Sequence, residues 1–390
     1  MHFFLLIANF PGFGGIERVT QVLAEGMVSA GHAATIVSLR PTHVGATTAS
    51  LDTRVAHNVL PCASYPDAPE NSAYFVHLLR EHQPTAVLYQ DGYTPDLLPL
   101  LQRVYAQQPF RLFVAEHNTP LCHVRAWGEV VRGLNWCSPK DWLRAMAWPF
   151  IRAKRWPQVV ARHKALVAMA EGYVVLSEAY IPHLLRLVGE EYRHKVSYQG
   201  NPLTLPLPTD QKAIVGQKEK ECLVVARLER DKGIDLLMRI WPRFAEQHLD
   251  WRLTILGVGP MEATLRAAIA AGRMPRTRLA TPTHDVAPYY ARASCLLLTS
   301  RFEGWGLVLT EAMAYGCLPI AFHSYAALPS IYTDGVEGYI VPAFNVSAFV
   351  AAMDRLVRLP DHVAMQQAAM ARAATFAVPE AVAQWQARMA

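Results

Sequence analysis

Residues 301–311, RFEGWGLVLTE, place Glu303 and Glu311 eight positions apart, with Gly304, Trp305 and Gly306 directly after the first carboxylate. A glycine turn running into a helix leaves amide groups unpaired at the helix's positive end, where phosphate or sugar hydroxyls bind. A carboxylate on either side of such a pocket repels phosphate, so both glutamates are better suited to accepting hydroxyl groups. Two glutamates at this spacing are commonplace in themselves; the glycine turn between them carries the signal. Residues 225–233, VARLERDKG, offer Arg227 and Lys232. A forked guanidinium and a mobile ammonium suit a diphosphate, while the same residues with Glu229, Arg230 and Asp231 also fit a solvated charge cluster.

Two further segments lie earlier. PGFGGIER brings Gly12, Gly14 and Gly15 to the start of a helical stretch, either as an anion loop or as a tight strand-to-helix turn. Glu17 stands where a dinucleotide fingerprint needs its third glycine, which weighs against a nicotinamide or flavin oxidoreductase. AEHNT sets His117 at a strand's carboxyl end, either as a structural histidine or as a side chain facing a ligand.

The elements that must position these groups follow from the pattern. Short apolar, β-branched or aromatic runs at 3–9, 34–39, 86–90, 110–116, 172–177 and 195–198 read as strands separated by helical stretches. The rhythm restarts at 222–228 and continues through 251–257, 295–300, 318–322 and 338–342. Strand and helix alternation implies parallel sheets with crossover helices, so the expected class is α/β with two doubly wound Rossmann-like domains facing an interdomain cleft. Residues 1–200 form the expected first domain, the proline-rich 201–220 a linker, 221–375 the second domain, and 376–390 a terminal helix packing back on the first.

Apolar residues make up 52% and charged residues 18%, which excludes a disordered chain. Six scattered cysteines without a CxxC pair argue against a zinc site or a disulfide framework and fit a reducing cytosol. The opening MHFFLLIANF lacks a basic leader and reads as a first strand rather than an export signal; no stretch is long and apolar enough to span a bilayer. The net charge is +5, and its distribution is more telling. Residues 130–170 carry Arg132, Lys140, Arg144, Arg152, Lys154, Arg155, Arg162 and Lys164 against Asp141 alone, interleaved with Trp136, Trp142, Trp148 and Trp156. Cations among tryptophans suit an anionic membrane surface; buried tryptophans beneath a solvated basic face give the same pattern. Nucleic acid is not expected, because no recognised binding module accompanies the charge.

In this order the segments resemble the retaining glycosyltransferases of GT-B fold in family four. The resemblance runs along nearly the whole chain and is strongest over 222–342. It rests on Glu303 and Glu311, Arg227 and Lys232, the loop at Gly14 and Gly15, and His117. It implies a nucleotide-sugar donor, UDP-linked by preference, whose diphosphate meets Arg227 and Lys232. Glu311 would then hold the ribose, Glu303 the transferred sugar, and the backbone at Gly304, Trp305, Gly306 and Leu307 would complete the donor site. Gly14, Gly15 and His117 would line the acceptor side, with Gly15 also beside the donor and His117 near the reacting carbon. The resemblance further implies a hexose or N-acetylhexosamine moved with retention to a glycan or lipid-linked acceptor in cell-surface polysaccharide or lipopolysaccharide synthesis. Neither a metal nor another cofactor is expected. The implied location is the cytoplasm, or the inner face of its membrane as a peripheral protein.

The chain departs from the family at two places. LGVGP has Val258 where relatives often carry an acid, and SYAALPSIYTDG lacks the usual Gly-x-x-Glu, so the donor base and sugar do not carry over. Two alternatives share the fold: a sugar-nucleotide epimerase, which uses no acceptor, and a phosphorylase, whose cofactor lysine has no candidate here. From another class stands a catalytically silent binding subunit, against which the intact charged residues argue.

Overall fold

The computed structural model describes residues 1–12, 14–40, 51–91, 96–124, 139–210, 214–281, 283, 285–359 and 362–390, without the side chains of Asp141 and Arg144. Arg132, Trp136 and Cys137 lie outside the described residues. The chain forms two compact units, one holding the described residues up to Thr204 together with Ala377–Ala390, the other Leu205–Phe376. The division thus falls inside the segment expected as a linker.

The first unit is built on seven strands: β1 (His2–Asn9), β2 (Ala33–Arg40), β3 (Ala56–Val59), β4 (Ala86–Asp91), β5 (Leu112–Glu116), β6 (Gly172–Val175) and β7 (Val196–Tyr198). They pair in parallel in the order β3-β2-β1-β4-β5-β6-β7. Central strands of a parallel sheet are covered on both faces, so β1 reads as an almost continuous apolar run, with Phe3, Phe4, Leu5 and Leu6 fully buried. Its helices are α1 (Gly15–Ser29), α2 (Pro69–His82), α3 (Leu98–Gln107), α4 (Pro139–Met169) and α5 (Ile181–Val188).

The second unit has β8 (Glu219–Val225), β9 (Arg252–Leu256), β10 (Thr277–Ala280), β11 (Ala293–Leu298), β12 (Leu318–His323) and β13 (Tyr339–Pro342). These are also parallel, in the order β10-β9-β8-β11-β12-β13. Its helices are α6 (Ile234–Gln247), α7 (Glu262–Ala270), α8 (Ala287–Arg292), α9 (Leu307–Ala314), α10 (Leu328–Ile331), α11 (Val346–Val357) and α12 (His362–Ala374).

The last helix, α13 (Val378–Met389), belongs to the first unit and packs on α1. Gly26 makes that approach close: a Cβ there would stand 2.4 Å from Val378 Cγ1. Gln199 Nε2 donates to Ala381 O at 3.0 Å and Arg111 to Met389 O at 2.8 Å, which pins the helix at both ends.

Two strands escaped the sequence pattern. AHNV of β3 and TRLA of β10 each form the edge of a sheet, where one side needs no partner and a polar strand is tolerated, so neither shows an apolar run.

Candidate functional site

In each sheet the strand order reverses beside the first strand, between β1 and β4 and between β8 and β11. The loops leaving the carboxyl ends of such a pair diverge and open a crevice for ligands. In the second unit Cys222 of β8 lies opposite Cys295 of β11, so the loop after β8, with Arg227 and Lys232, meets the loop after β11, with Glu303. Segments about seventy residues apart become neighbours by strand pairing alone.

The two loops are tied together by backbone and side chain. Arg301 N donates to Asp231 O at 2.8 Å, and its guanidinium grips Asp235 at 2.6 and 2.8 Å while also reaching Arg230 O at 2.7 Å. Thr299 Oγ1 donates to Lys232 O at 3.0 Å. Gly233, which caps α6, has φ of +70°, and a Cβ there would lie 1.9 Å from Thr299 O. Only glycine lets the two loops come this close. Behind them the LGVGP turn presses on the same loop: a Cβ at Gly257 would stand 1.9 Å from Ala226 O, and Leu228 N donates to Val258 O at 2.8 Å.

On this frame Lys232 Nζ donates to Glu303 Oε1 at 2.7 Å, and Ser300 Oγ donates to the same oxygen at 2.8 Å. Arg227 stands apart, its side chain 69% exposed and paired with Glu229 at 2.7 Å. An exposed pair of that kind contributes about 0–1 kcal/mol, so an anionic ligand displaces Glu229 at little cost.

Glu311 lies within α9, buried, and accepts from the buried Tyr290 Oη at 2.9 Å. Gly306, with φ of +85°, turns the chain into α9, and Leu307 is the first residue of that helix. Gly304 and Leu307 bring main chain to this helix start, whose leading amides have no acceptor inside the helix. Trp305 contributes backbone only: its ring is buried edge-on against Phe376, and its carbonyl accepts from Tyr325 Oη at 3.0 Å.

In the first unit Gly14 precedes α1 in extended conformation and Gly15 begins the helix. The Glu17 carboxylate folds over this turn, with Oε2 2.1 Å from where a Gly14 Cβ would stand, and burial raises its pKa. The positive end of α1 therefore already faces a carboxyl group, which suits hydroxyl recognition better than a phosphate cradle.

His117 follows β5 and is buried between Asn201 Oδ1, 3.1 Å from Nδ1, and the Gln90 carboxamide beside Nε2. Burial lowers its pKa to about 4, against the hydrogen bond to Asn201 and the charge of Asp91, which act the other way. At neutral pH the ring is uncharged, with one nitrogen donating and the other accepting. Beneath it Asp91, fully buried, takes two hydrogen bonds from Arg162 at 2.8 and 2.6 Å, and its carbonyl accepts from His117 N at 3.2 Å. Arg162, counted in the sequence among surface cations, is thus a buried structural residue joining α4 to the sheet.

The rest of the basic stretch divides. Trp156 is half-buried beneath the guanidiniums of Arg152 and Arg186, at 4.8 and 5.6 Å. Leu143, Met146 and Phe150 of α4 stand 66%, 70% and 79% exposed, with Lys140, Lys154 and Arg155 exposed on the same helix. Among the described residues no helix is long and apolar enough to cross a membrane, and no group of three or more His, Cys, Asp or Glu side chains is placed to hold a metal ion.

Tyr290, Asp235, Gln90 and Asn201 carried no sequence signal. Each touches its partner across separate elements, through the order of strands in the sheet or the packing of helices beside it.

Residues 219–358 match the family described as Glycosyl transferases group 1. An uncharacterized glycosyltransferase of Haemophilus influenzae is 29% identical over 187 residues, 47% of this chain and 52% of that protein. The amylovoran biosynthesis glycosyltransferase AmsD of Erwinia amylovora is 29% identical over 145 residues, 37% of this chain and 40% of that protein. The chain thus spans about half or less of the curated relatives it matches. Among solved structures, a mutant of S. aureus TarM in complex with Fondaparinux, alpha-GlcNAc-glycerol and UDP superposes with a TM-score of 0.73 at 12% identity, covering 100% of this chain and 99% of that one. This likeness is one of fold, and the fold is GT-B.

Proposed function

We propose that the chain is a retaining hexosyltransferase of family four that moves a hexose or N-acetylhexosamine from a UDP-linked donor to a glycan or lipid-linked acceptor in polysaccharide or lipopolysaccharide synthesis. One observation carries the proposal: Lys232 Nζ stands 2.7 Å from Glu303 Oε1 at the switch point between β8 and β11. A cation for the departing phosphate and a carboxylate for the sugar's hydroxyls are thereby adjacent, as they must be on either side of one glycosyl-phosphate bond. The group 1 match over this unit, the polysaccharide role in AmsD's name and the UDP in the TarM complex support the same assignment.

Breaking that bond builds negative charge on the diphosphate. Lys232 and the amides opening α9 meet this charge from held positions, and the exposed Arg227 turns from Glu229 to join them, so they stabilise the transition state more than the ground state. Glu311, oriented by Tyr290, holds the ribose, and Glu303 holds the transferred sugar. Gly14, Gly15 and His117, all of the first unit, are assigned to the acceptor, and the buried His117 imidazole would offer it a neutral dipole rather than a charge. Retention follows from attack on the face the diphosphate leaves, with the departing phosphate oxygen taking the acceptor's proton.

Incubating the purified chain with a panel of nucleotide sugars and following free nucleotide, with and without glycan acceptors, tests this. Slow hydrolysis of one donor, accelerated by an acceptor, is expected. Conversion of a sugar nucleotide to its epimer, or binding with no turnover across the panel, would overturn it in favour of an epimerase or a silent subunit.

A second feature favours work at a membrane surface. The exposed Leu143, Met146 and Phe150, flanked by exposed cations, form the amphipathic face of a helix lying on anionic lipid, each cation contributing about 1 kcal/mol. Sedimentation with anionic vesicles at low and physiological salt checks it, and absence of binding at both removes the membrane from the account.

A further inference from the structure

The second unit also holds a cavity of about 460 Å³ that the chemistry above leaves unused. It opens at the amino ends of the strands: Glu219 and Glu221 begin β8, Arg252 begins β9, Arg276 and Arg278 flank the start of β10, and Arg292 directly precedes β11. Arg227 leaves the other end of β8. Seven residues of strand at about 3.3 Å each separate the two places by roughly 20 Å, so the cavity is no part of the candidate donor site.

Its charges are organised. Glu221, only 1% exposed, receives Arg292 at 2.7 and 3.2 Å and Arg252 at 3.3 Å, while Glu219 pairs with Arg252 as well. The two carboxylates thereby hold two guanidiniums at the cavity wall. Arg276 adopts φ of +51°, uncommon outside glycine, and anchors itself on Trp251 O at 2.9 Å and Ala245 O at 2.5 Å. Arg278 has no carboxylate partner among the described residues. Four guanidiniums against two carboxylates leave a surplus of two positive charges around one concave space. Thr254 and Thr277 also line it.

Charge on an edge strand discourages pairing with another sheet, which accounts for Arg278 alone. It does not account for a buried carboxylate that directs two arginines at a cavity. Clustered guanidiniums repel one another, and a phosphate relieves that repulsion through forked, charge-assisted hydrogen bonds. The volume exceeds what phosphate alone fills, and Thr254, Thr277 and the two carboxylates share the lining with the arginines. We propose that this cavity is a second binding site, for the phosphate monoester of a polyhydroxylated molecule, chemically a sugar phosphate.

Calorimetric titration of the full chain with glucose 6-phosphate, glucose and inorganic phosphate, at constant ionic strength, tests the site. Saturable binding of the sugar phosphate is expected, with inorganic phosphate weaker by about tenfold or more and glucose silent. Arg278→Gln, at an exposed position that the fold does not depend on, should weaken binding by about tenfold, and Arg252→Gln likewise. Lys232→Ala should leave it unchanged. No saturable heat, equal affinity for inorganic phosphate, or binding lost in Lys232→Ala and kept in Arg278→Gln would each overturn the proposal.

Discussion

Lys232 and Glu303 form an ion pair of 2.7 Å with the lysine 21% and the glutamate 13% exposed, so the cation proposed for a diphosphate is engaged by the carboxylate proposed for a sugar. A donor must therefore insert between two groups that satisfy each other in its absence. The pair, with Ser300 on the same carboxylate oxygen, keeps both side chains in place.

That geometry separates two substitutions. Lys232→Ala should lower turnover about a hundredfold or more, by analogy with removal of one transition-state donor at roughly 2.7–4 kcal/mol, and leave the fold intact. Glu303→Gln should also collapse turnover, yet bind UDP as tightly as the parent or more so, because Lys232 loses its competitor. Initial rates with the preferred donor and UDP titration of both variants check this; UDP affinity falling in Glu303→Gln would contradict the arrangement.

Tyr290 is buried and spends its hydroxyl on Glu311 at 2.9 Å. Tyr290→Phe removes a hydrogen bond to a charged acceptor, worth about 1.5–3 kcal/mol, from a residue assigned to ribose. Ribose is held alike in ground and transition states, so KM for the donor should rise about tenfold or more with kcat little changed. An equal loss in kcat would place Glu311 at the reacting bond instead.

His117 makes stability depend on pH. Its folded pKa of about 4 lies below the ordinary 6.5, so between these values the unfolded chain binds a proton that the folded chain refuses. The stability is complete above about pH 6.5 and is lost as pH falls towards 4, amounting to about 3 kcal/mol over the window. Denaturant melts at successive pH values should show that slope in the parent and its flattening in His117→Gln.

Gly233 tests the loop frame. An alanine would need left-handed backbone and a Cβ 1.9 Å from Thr299 O, so Gly233→Ala should cost about 2 kcal/mol or more and weaken donor binding together with stability. Thermal melts with and without UDP read both. An unchanged melting temperature would mean that the β8 and β11 loops have room to move apart.

The alternation of apolar runs announced two parallel α/β units because strands buried on both faces must be apolar there, as β1 is along nearly its whole length and β8 from Cys222 to Val225. The same reason hid β3 and β10: an edge strand answers to no such requirement. Glycine turns and clustered charges pointed to Arg227, Lys232, Glu303 and Glu311, since loops at strand ends need such residues for local reasons that spacing records.

Which of those groups meet was settled by strand order. Because β8 pairs with the distant β11 as well as with β9, Lys232 faces Glu303 and Arg301 reaches Asp235, while Tyr290 finds Glu311 because the helices before and after β11 pack together. Likewise Arg162, one cation among many along the chain, becomes the buried partner of Asp91 only when α4 crosses the sheet. Residue type and spacing determined what each segment could do locally; long-range pairing, which a one-dimensional pattern does not encode, decided which side chains do it together.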